Sequence, residues 1–283
     1  MQKRKFGDTG QSLPVIGQGS WNFPSGNSEA EKAKAALCLG IEKGMDHIDT
    51  AEMYGNGHSE EVIGEAIAGM RRENLFLVSK VLPSNATYKG TISACEKSLK
   101  RLKTDYLDCY LLHWRGSHPL SETIKAFEKL IDDGKIRSMG VSNFDVDDIQ
   151  EALDAASKPI ACNQILYNLY TRAPERRLIP FCTKKKIAVT AYTPFAQRRP
   201  PERGTKPGDL LHQIAEKYNA TVRQVILAFL VRDENVFTIP KASNQEHVIE
   251  NAGAGQLKLT PAEIQKIEDA FPLPDRDIPL QTL

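Results

Sequence analysis

Eight short apolar runs alternate with longer amphipathic stretches through most of the 283 residues, and this alternation predicts an α/β fold, a closed (β/α)8 barrel. Strands joined through helices lie parallel, with right-handed crossovers. No Ser/Gly/Pro-rich stretch divides the chain, so residues 1–283 are expected to form one domain. The rival architecture, an open doubly wound sheet, normally carries phosphate-binding glycines after its first strand. The three partial matches here, Gly17-x-Gly19-x-x-Asn22, Gly55-x-Gly57-x-x-Glu60 and Gly253-x-Gly255-x-x-Lys258, all lack the last glycine.

The elements follow in order. Residues 4–13 read as a hairpin around Asp8-Thr9-Gly10, placed to plug the N-terminal end of the barrel. Strands are expected at 13–17, 46–49, 75–80, 106–112, 136–141, 160–165, 187–191 and 236–239. Helical patterns cover 29–42, 60–69, 90–102, 121–132, 146–156, 174–185, 210–218 and 221–231. Lys43-Gly44 and Asp133-Gly134 are stop signals. The Pro/Arg-rich segment 193–208 reads as a loop over the barrel mouth. A further helix, 260–270, precedes a Pro-rich tail.

Composition narrows the function classes. Apolar residues are 41% and charged residues 26%, an ordinary globular balance that excludes general disorder. Lys+Arg is 37 against Asp+Glu 36, without the basic excess of a nucleic-acid binder. The start, Met1-Gln2-Lys3-Arg4-Lys5, leads into no apolar stretch, so neither a signal peptide nor a membrane span is expected. Cys38, Cys95, Cys109, Cys162 and Cys182 are odd in number and form no C-x-x-C, which argues against disulfides and zinc and for a reducing cytoplasm. His47, His58, His118 and His212 show no metal spacing, and no metal is expected. The lysine-rich runs 97–103 and 184–186 read as solvated helix faces.

In an α/β barrel the chemistry sits at the C-terminal strand ends. Those ends carry Gly19-Ser20-Trp21, Asp49 through Tyr54, Ser79-Lys80, His113-Trp114, Ser142-Asn143, Asn163-Gln164, Tyr192 and Lys241. Asp49, Lys80 and His113 each end an apolar run, where an unpaired ion would cost several kcal/mol. A closed barrel brings the three together with Tyr54, so each can partner another.

The string His47-Ile48-Asp49-Thr50-Ala51-Glu52-Met53-Tyr54-Gly55 resembles the D-T-A-x-x-Y-G signature of the aldo-keto reductases. Val78-Ser79-Lys80, Tyr110-Leu111-Leu112-His113-Trp114, Gly140-Val141-Ser142-Asn143-Phe144, Asn163-Gln164 and Ile239-Pro240-Lys241 match further family motifs, in order and in register. The likeness is nearest to short bacterial members of the methylglyoxal reductase type. It implies a catalytic tetrad of Asp49, Tyr54, Lys80 and His113, and reduction of aldehydes and activated ketones. Tyr54 would supply the proton. A free tyrosine has a pKa of ~10, and bringing it near neutrality takes roughly 4 kcal/mol. An ammonium ~4 Å away supplies about that much at an effective dielectric of ~20, and Lys80 is the candidate. Asp49 would keep Lys80 charged and aimed, and His113 would donate to the substrate oxygen.

The resemblance also implies an extended nicotinamide dinucleotide, NADP(H), with NAD(H) left open. Its contacts would be Gly19, Ser20, Trp21 and Asp49. Ser142, Asn143 and Gln164 would hold the carboxamide, and Tyr192 the ring. Thr193, Pro194 and Phe195 follow in the loop, where Arg198, Arg199, Arg203 and Lys206 could neutralise the pyrophosphate. Lys241, Ala242, Ser243, Asn244 and His247 fall at the adenosine phosphate, and Glu250 and Asn251 at adenine. Many members have Ser in place of Ala242 and Arg in place of His247, which weakens the grip on a 2′-phosphate. Trp21, Tyr54, His113, Trp114 and Phe195 would frame an open pocket for a small-molecule carbonyl. A monomer is expected. Two other readings stay open: a nucleotide sensor or scaffold subunit with little turnover, and a hydrolase. The hydrolase would use Ser142 of Gly140-Val141-Ser142, or paired carboxylates Asp49 and Glu52.

Overall fold

The structure, a computed structural model, describes residues 1–24, 26–197 and 200–283. β1 (Lys3–Lys5) and β2 (Ser12–Pro14) form an antiparallel hairpin. The other strands are β3 (Gln18–Gly19), β4 (His47–Asp49), β5 (Phe76–Val81), β6 (Leu107–Leu112), β7 (Ile136–Ser142), β8 (Ile160–Leu166), β9 (Ala188–Tyr192) and β10 (Val236–Thr238). These eight pair in sequence order, all parallel. Gly17 N donates to Thr238 O at 2.8 Å, Thr238 N to Val15 O at 3.0 Å and Gly19 N to Pro240 O at 3.2 Å, so the sheet closes on itself. The predicted (β/α)8 barrel is the observed fold.

Helices α1 (Asn27–Glu42), α2 (His58–Ala66), α3 (Tyr88–Leu102), α4 (Leu120–Asp132), α5 (Val146–Ala155) and α6 (Leu178–Lys184) fill the connections up to β9. α7 (Lys206–Lys217) and α8 (Val222–Leu230) lie between β9 and β10. α9 (Gln245–Ala254) and α10 (Pro261–Ala270) follow β10. Several start on side-chain caps: Thr87, Asp145, Thr205, Thr221, Asn244 and Thr260 each accept a backbone N–H of the first turn.

Strand alternation explains the interior. On β5, Phe76 and Val78 point inward, and on β6 Cys109 and Leu111 do the same; with Phe6, Leu13, Ala161, Cys162, Ala188 and Phe237 they form one buried cluster. The next inward position on β5 is Lys80, and the first residue past β6 in the same alternation is His113. The periodicity that fills the barrel with apolar groups therefore delivers these two polar groups at its mouth.

The hairpin closes the other end. Phe6 is fully buried, edge-on to His47, Phe76 and Phe237 with ring centroids 5.1–5.7 Å apart. Gly7 beside it has φ +53°, and a Cβ there would lie 2.2 Å from Ala161 O, so no other residue fits without displacing backbone.

Most ends shift by one to three residues, and three larger differences from the sequence reading have a clear cause. The run 13–17 is not the first barrel strand. Leu13 and Pro14 are committed to the hairpin, and the barrel takes Gln18–Gly19 with a single bridge at Ile16. The helix expected over 174–185 is split into a short turn, Ala173–Glu175, and α6, because Pro180 has no N–H for the carbonyl of Arg176 and fits only in a first turn. The loop expected over 193–208 ends earlier, because Thr205 accepts from Gly208 N and opens α7.

Candidate active site

Lys80 is the hub of the mouth and is fully buried. Its Nζ donates to Asp49 Oδ2 at 2.7 Å, to Thr50 O at 2.8 Å and to Tyr54 OH at 3.2 Å. Three donors meet three acceptors, so the ammonium is satisfied without water. Asp49 ends β4, and its other oxygen accepts from Gln164 Nε2 at 2.7 Å. Tyr54 stands on a tight turn, Tyr54–Gly57, that needs positive φ at Gly55, Asn56 and Gly57. That turn feeds α2, whose Glu60 is fully buried and accepts from Ser79 Oγ and Arg101 Nε, both at 2.6 Å. Ser79 neighbours Lys80, so this clamp ties the segment bearing Tyr54 to the strand bearing Lys80. The His113 ring lies edge-on to Tyr54, 5.8 Å between centroids, and 4.9 Å from Trp114.

The electrostatics follow from burial. Burial opposes the charge on Lys80, but Asp49 and Tyr54 outweigh it and hold the amine above its usual pKa. Burial pushes the Asp49 carboxyl up against the pull of Lys80. Burial likewise pushes the Tyr54 hydroxyl up; Lys80 pulls it down without overcoming burial and Asp49. The expectation that Lys80 alone brings Tyr54 near neutrality is therefore not met in the protein on its own. Tyr54 keeps its proton at neutral pH. Burial, with Lys80 adding, takes His113 down to about 3, so its imidazole is neutral. Its Nδ1 is buried without a partner.

Several of the expected nucleotide residues stand at strand ends around the same mouth, and others lie on α9. Gly19 pairs with Asp49 on one side and Lys241 on the other. Ser20, the next residue, buries an unpartnered Oγ. Asn143 Nδ2 donates to His113 O at 3.1 Å and Ser142 Oγ at 3.2 Å, and Tyr192 OH donates to Asn143 Oδ1 at 2.8 Å. Asn143 has φ +60° and the β-branched Thr193 has φ +53°, conformations that cost roughly 1–3 kcal/mol each. Lys241 Nζ donates to Ser243 Oγ at 3.2 Å, and burial lowers its pKa. Asn244 caps α9 by accepting His247 N at 2.8 Å, and His247 is exposed. Asn251 is buried with an unpartnered Oδ1. Arg198 and Arg199 lie outside the described residues.

A model of the aldo/keto reductase family matches residues 15–271. The chain belongs to the aldo/keto reductase family. It is 44% identical to methylglyoxal reductase YeaE of Escherichia coli, over 97% of each chain. It is 39% identical to glyoxal reductase of Bacillus subtilis, over 92% of this chain and 89% of that one. A crystal structure of an aldo-keto reductase from Klebsiella pneumoniae in complex with NADPH superposes with a TM-score of 0.93 at 41% identity, covering all of both chains.

Within this aldo/keto reductase, Trp21 and Trp114 are exposed, Trp114 beside buried His113. Phe195, expected at both cofactor and substrate, packs against α8, where its ring faces the Arg223 guanidinium at 3.9 Å. Glu52 is not a partner of Asp49. Its Oε1 accepts Leu82 N at 2.7 Å and Asn85 Nδ2 at 2.9 Å, which fixes the β5–α3 loop and removes the paired-carboxylate reading. Ser142 Oγ is bonded to Asn143. Among the described residues no group of three or more His, Cys, Asp or Glu could hold a metal ion, and no helix is long and apolar enough to cross a membrane. Sequence reasoning missed Thr50, whose carbonyl takes one Lys80 proton, and Glu60. The signal for Glu60 was a lone acid among the apolar positions of α2.

Proposed function

We propose that the chain is an NADPH-dependent reductase of aldehydes and activated ketones, with Tyr54 as the general acid, His113 as a substrate hydrogen-bond donor, and Lys80 held by Asp49. The observation that carries this reading is the Asp49–Lys80–Tyr54 chain, 2.7 Å and 3.2 Å long, at the barrel mouth. The named activities of the YeaE and Bacillus relatives and the NADPH in the Klebsiella structure point the same way. The residues suit a dinucleotide. Ser20 Oγ and Asn251 Oδ1, both among the expected contacts, are buried polar atoms that lack partners in the protein. Lys241 and Ser243 would hold the adenosine 2′-phosphate, Asn143 and the Gln164 oxygen the carboxamide, and Tyr192 the ring face.

The bound dinucleotide supplies hydride to the carbonyl carbon. The protein's work is the other half. As negative charge builds on the carbonyl oxygen, the Tyr54 hydroxyl gives up its proton to that oxygen. The tyrosinate left behind faces the Lys80 ammonium, which stabilises it at 3.2 Å. Asp49 keeps that ammonium in place. Neutral His113 donates a hydrogen bond to the same oxygen without losing a charge at any pH near neutrality. Trp21 and Trp114 give flat apolar walls, which select weakly among small dicarbonyls and aldehydes.

Five free cysteines, with Cys109 and Cys162 only 3.9 Å apart and unjoined, suit the cytoplasm. We take the working unit to be a monomer. Turnover of an aldehyde panel with NADPH and NADH tests the function. Tyr54→Phe should lose ~10²–10⁴ in kcat with the NADPH dissociation constant unchanged, because only the proton is removed. A variant keeping half its turnover would reject Tyr54 as the acid, and a wild type without turnover would leave the sensor reading.

A further inference from the structure

The β6–α4 loop carries His113 and Trp114, and the next residue, Arg115, shapes it. Arg115 Nη1 donates to Gly116 O at 2.6 Å and to His118 O at 3.0 Å, so residues 115–118 curl around their own guanidinium. Its Nη2 and Nε donate to the two Glu151 oxygens at 2.9 Å and 3.3 Å, a forked pair with α5. The turn is also pressed on the β5–α3 loop: a Cβ on Gly116 would lie 2.6 Å from Pro83 Cβ. The loop is held where it begins as well, because Asn143 Nδ2 donates to His113 O at 3.1 Å. Trp114 therefore stands between two anchored neighbours, and both anchors, Asn143 and Glu151, come from the segment that runs from the end of β7 into α5.

Glu151 is exposed and Arg115 only partly buried, so their ion pair by itself adds little stability. The two carbonyl bonds differ in kind. They hold a stretch that has no helix or strand to keep its shape. The fork to Glu151 then gives that local curl a fixed orientation, by tying it to a packed helix. A wall selects best when it keeps its place, because an indole on a loose loop must be ordered each time a substrate lies on it. We propose that Arg115 is a positioning residue: clasped to Glu151, it fixes the Trp114 ring as a rigid wall and gives the site its grip on aldehydes broad enough to lie against that wall. This rests on the reductase reading above. It concerns neither the proton donor nor the nucleotide.

The test is steady-state turnover with NADPH of wild type, Arg115→Ala, Glu151→Ala and Glu151→Gln on two aldehydes. Glyoxal has little surface to lay on an indole, and 2-naphthaldehyde has two fused rings. Arg115→Ala should raise KM for the naphthaldehyde about 3–10-fold, the range of one aromatic contact, and leave KM for glyoxal and kcat on both within about twofold, because Tyr54 and Lys80 are untouched. Glu151→Ala should show part of that loss, and Glu151→Gln, which keeps an acceptor oxygen, should recover most of it. Trp21 and Trp114 are the chain's two tryptophans, so in a Trp21→Phe background the fluorescence anisotropy decay follows Trp114 alone. Arg115→Ala should add a nanosecond component that is absent while Arg115 is present. A merely structural role would lower stability and slow both aldehydes alike. An unchanged naphthaldehyde KM overturns the proposal, as does an equal rise on both aldehydes, an unchanged anisotropy decay, or a wild type that reduces glyoxal but not the naphthaldehyde. If Arg115→Ala does not fold, Glu151→Ala carries the same test from an exposed position. If wild type reduces neither aldehyde, the reductase reading falls and takes this proposal with it; if wild type reduces both and Arg115→Ala matches it, this proposal alone falls.

Discussion

Replacing Lys80 with Met keeps most of the stem and removes one charge from the centre of the mouth. Two effects follow, and they separate. The first is on stability. Asp49, 1% exposed, would be left as a buried carboxylate with Gln164 Nε2 as its remaining side-chain donor. Orphaning one partner of a buried pair costs ~3–5 kcal/mol. The second is on chemistry. At 3.2 Å from the Tyr54 oxygen, Lys80 attracts a tyrosinate by ~5 kcal/mol at an effective dielectric of ~20. At ~1.36 kcal/mol per decade that is ~10³-fold or more in kcat. Asp49→Asn/Lys80→Met removes the orphaned charge, so it should regain most of the lost stability and none of the lost rate. Lys80 also pulls the Tyr54 pKa down. Without it that pKa rises further, so any alkaline limb of the rate profile moves to higher pH. Single-turnover oxidation of NADPH, with urea unfolding in parallel, reads both effects. Turnover of Lys80→Met within about tenfold of wild type, or a double variant that regains rate along with stability, would refute the reasoning.

Lys241→Ala should weaken NADPH by roughly 10–100-fold, as befits a hydrogen bond to a charged group, and leave NADH unmoved. His247→Arg should tighten NADPH alone; fluorescence titrations check both, and equal losses on the two nucleotides would remove Lys241 from the 2′-phosphate. Acid should unfold the protein early. His47 and His113 are each held neutral down to about 3 against 6.5 in the unfolded chain, so the unfolded state binds more protons and stability falls as pH drops through that window. The two contribute a slope of ~2.7 kcal/mol per pH unit, of which His47→Phe, packed among Phe6 and Phe76, should remove about half. Urea midpoints across the window measure it, and an unchanged slope would show that His47 does not titrate on unfolding.

Most of the barrel was legible because each strand is a continuous apolar run ending in a polar residue. The pattern gave way at β3. There the buried residue is Gln18, whose amide donates to Leu37 O at 3.3 Å and Met45 O at 2.9 Å, and a polar side chain satisfied by distant carbonyls leaves no apolar signal. Asp49, Lys80 and His113 were readable as charges stranded at the ends of such runs. The packing of Phe195 was hidden, because a loop aromatic carries no sign of direction. Its partner Arg223 lies one residue past the Thr221–Val222 start of α8, in a place where any solvated cation would look the same. The net rise at Tyr54 was also hidden, because spacing reveals that Lys80 is near but not how much water the mouth excludes.

Asp49, Tyr54, Lys80 and His113 all precede β7, whereas the residues assigned to the carboxamide, the 2′-phosphate and adenine all follow it or lie at its end. Across the mouth, Gln164 Nε2 binds Asp49 Oδ1 from 115 positions along the chain. A recombination point between β6 and β7 would therefore divide the acid group from most of the nucleotide residues, and at the mouth the two parents would have to match where Gln164 meets the Asp49 carboxylate and where Asn143 meets the His113 carbonyl.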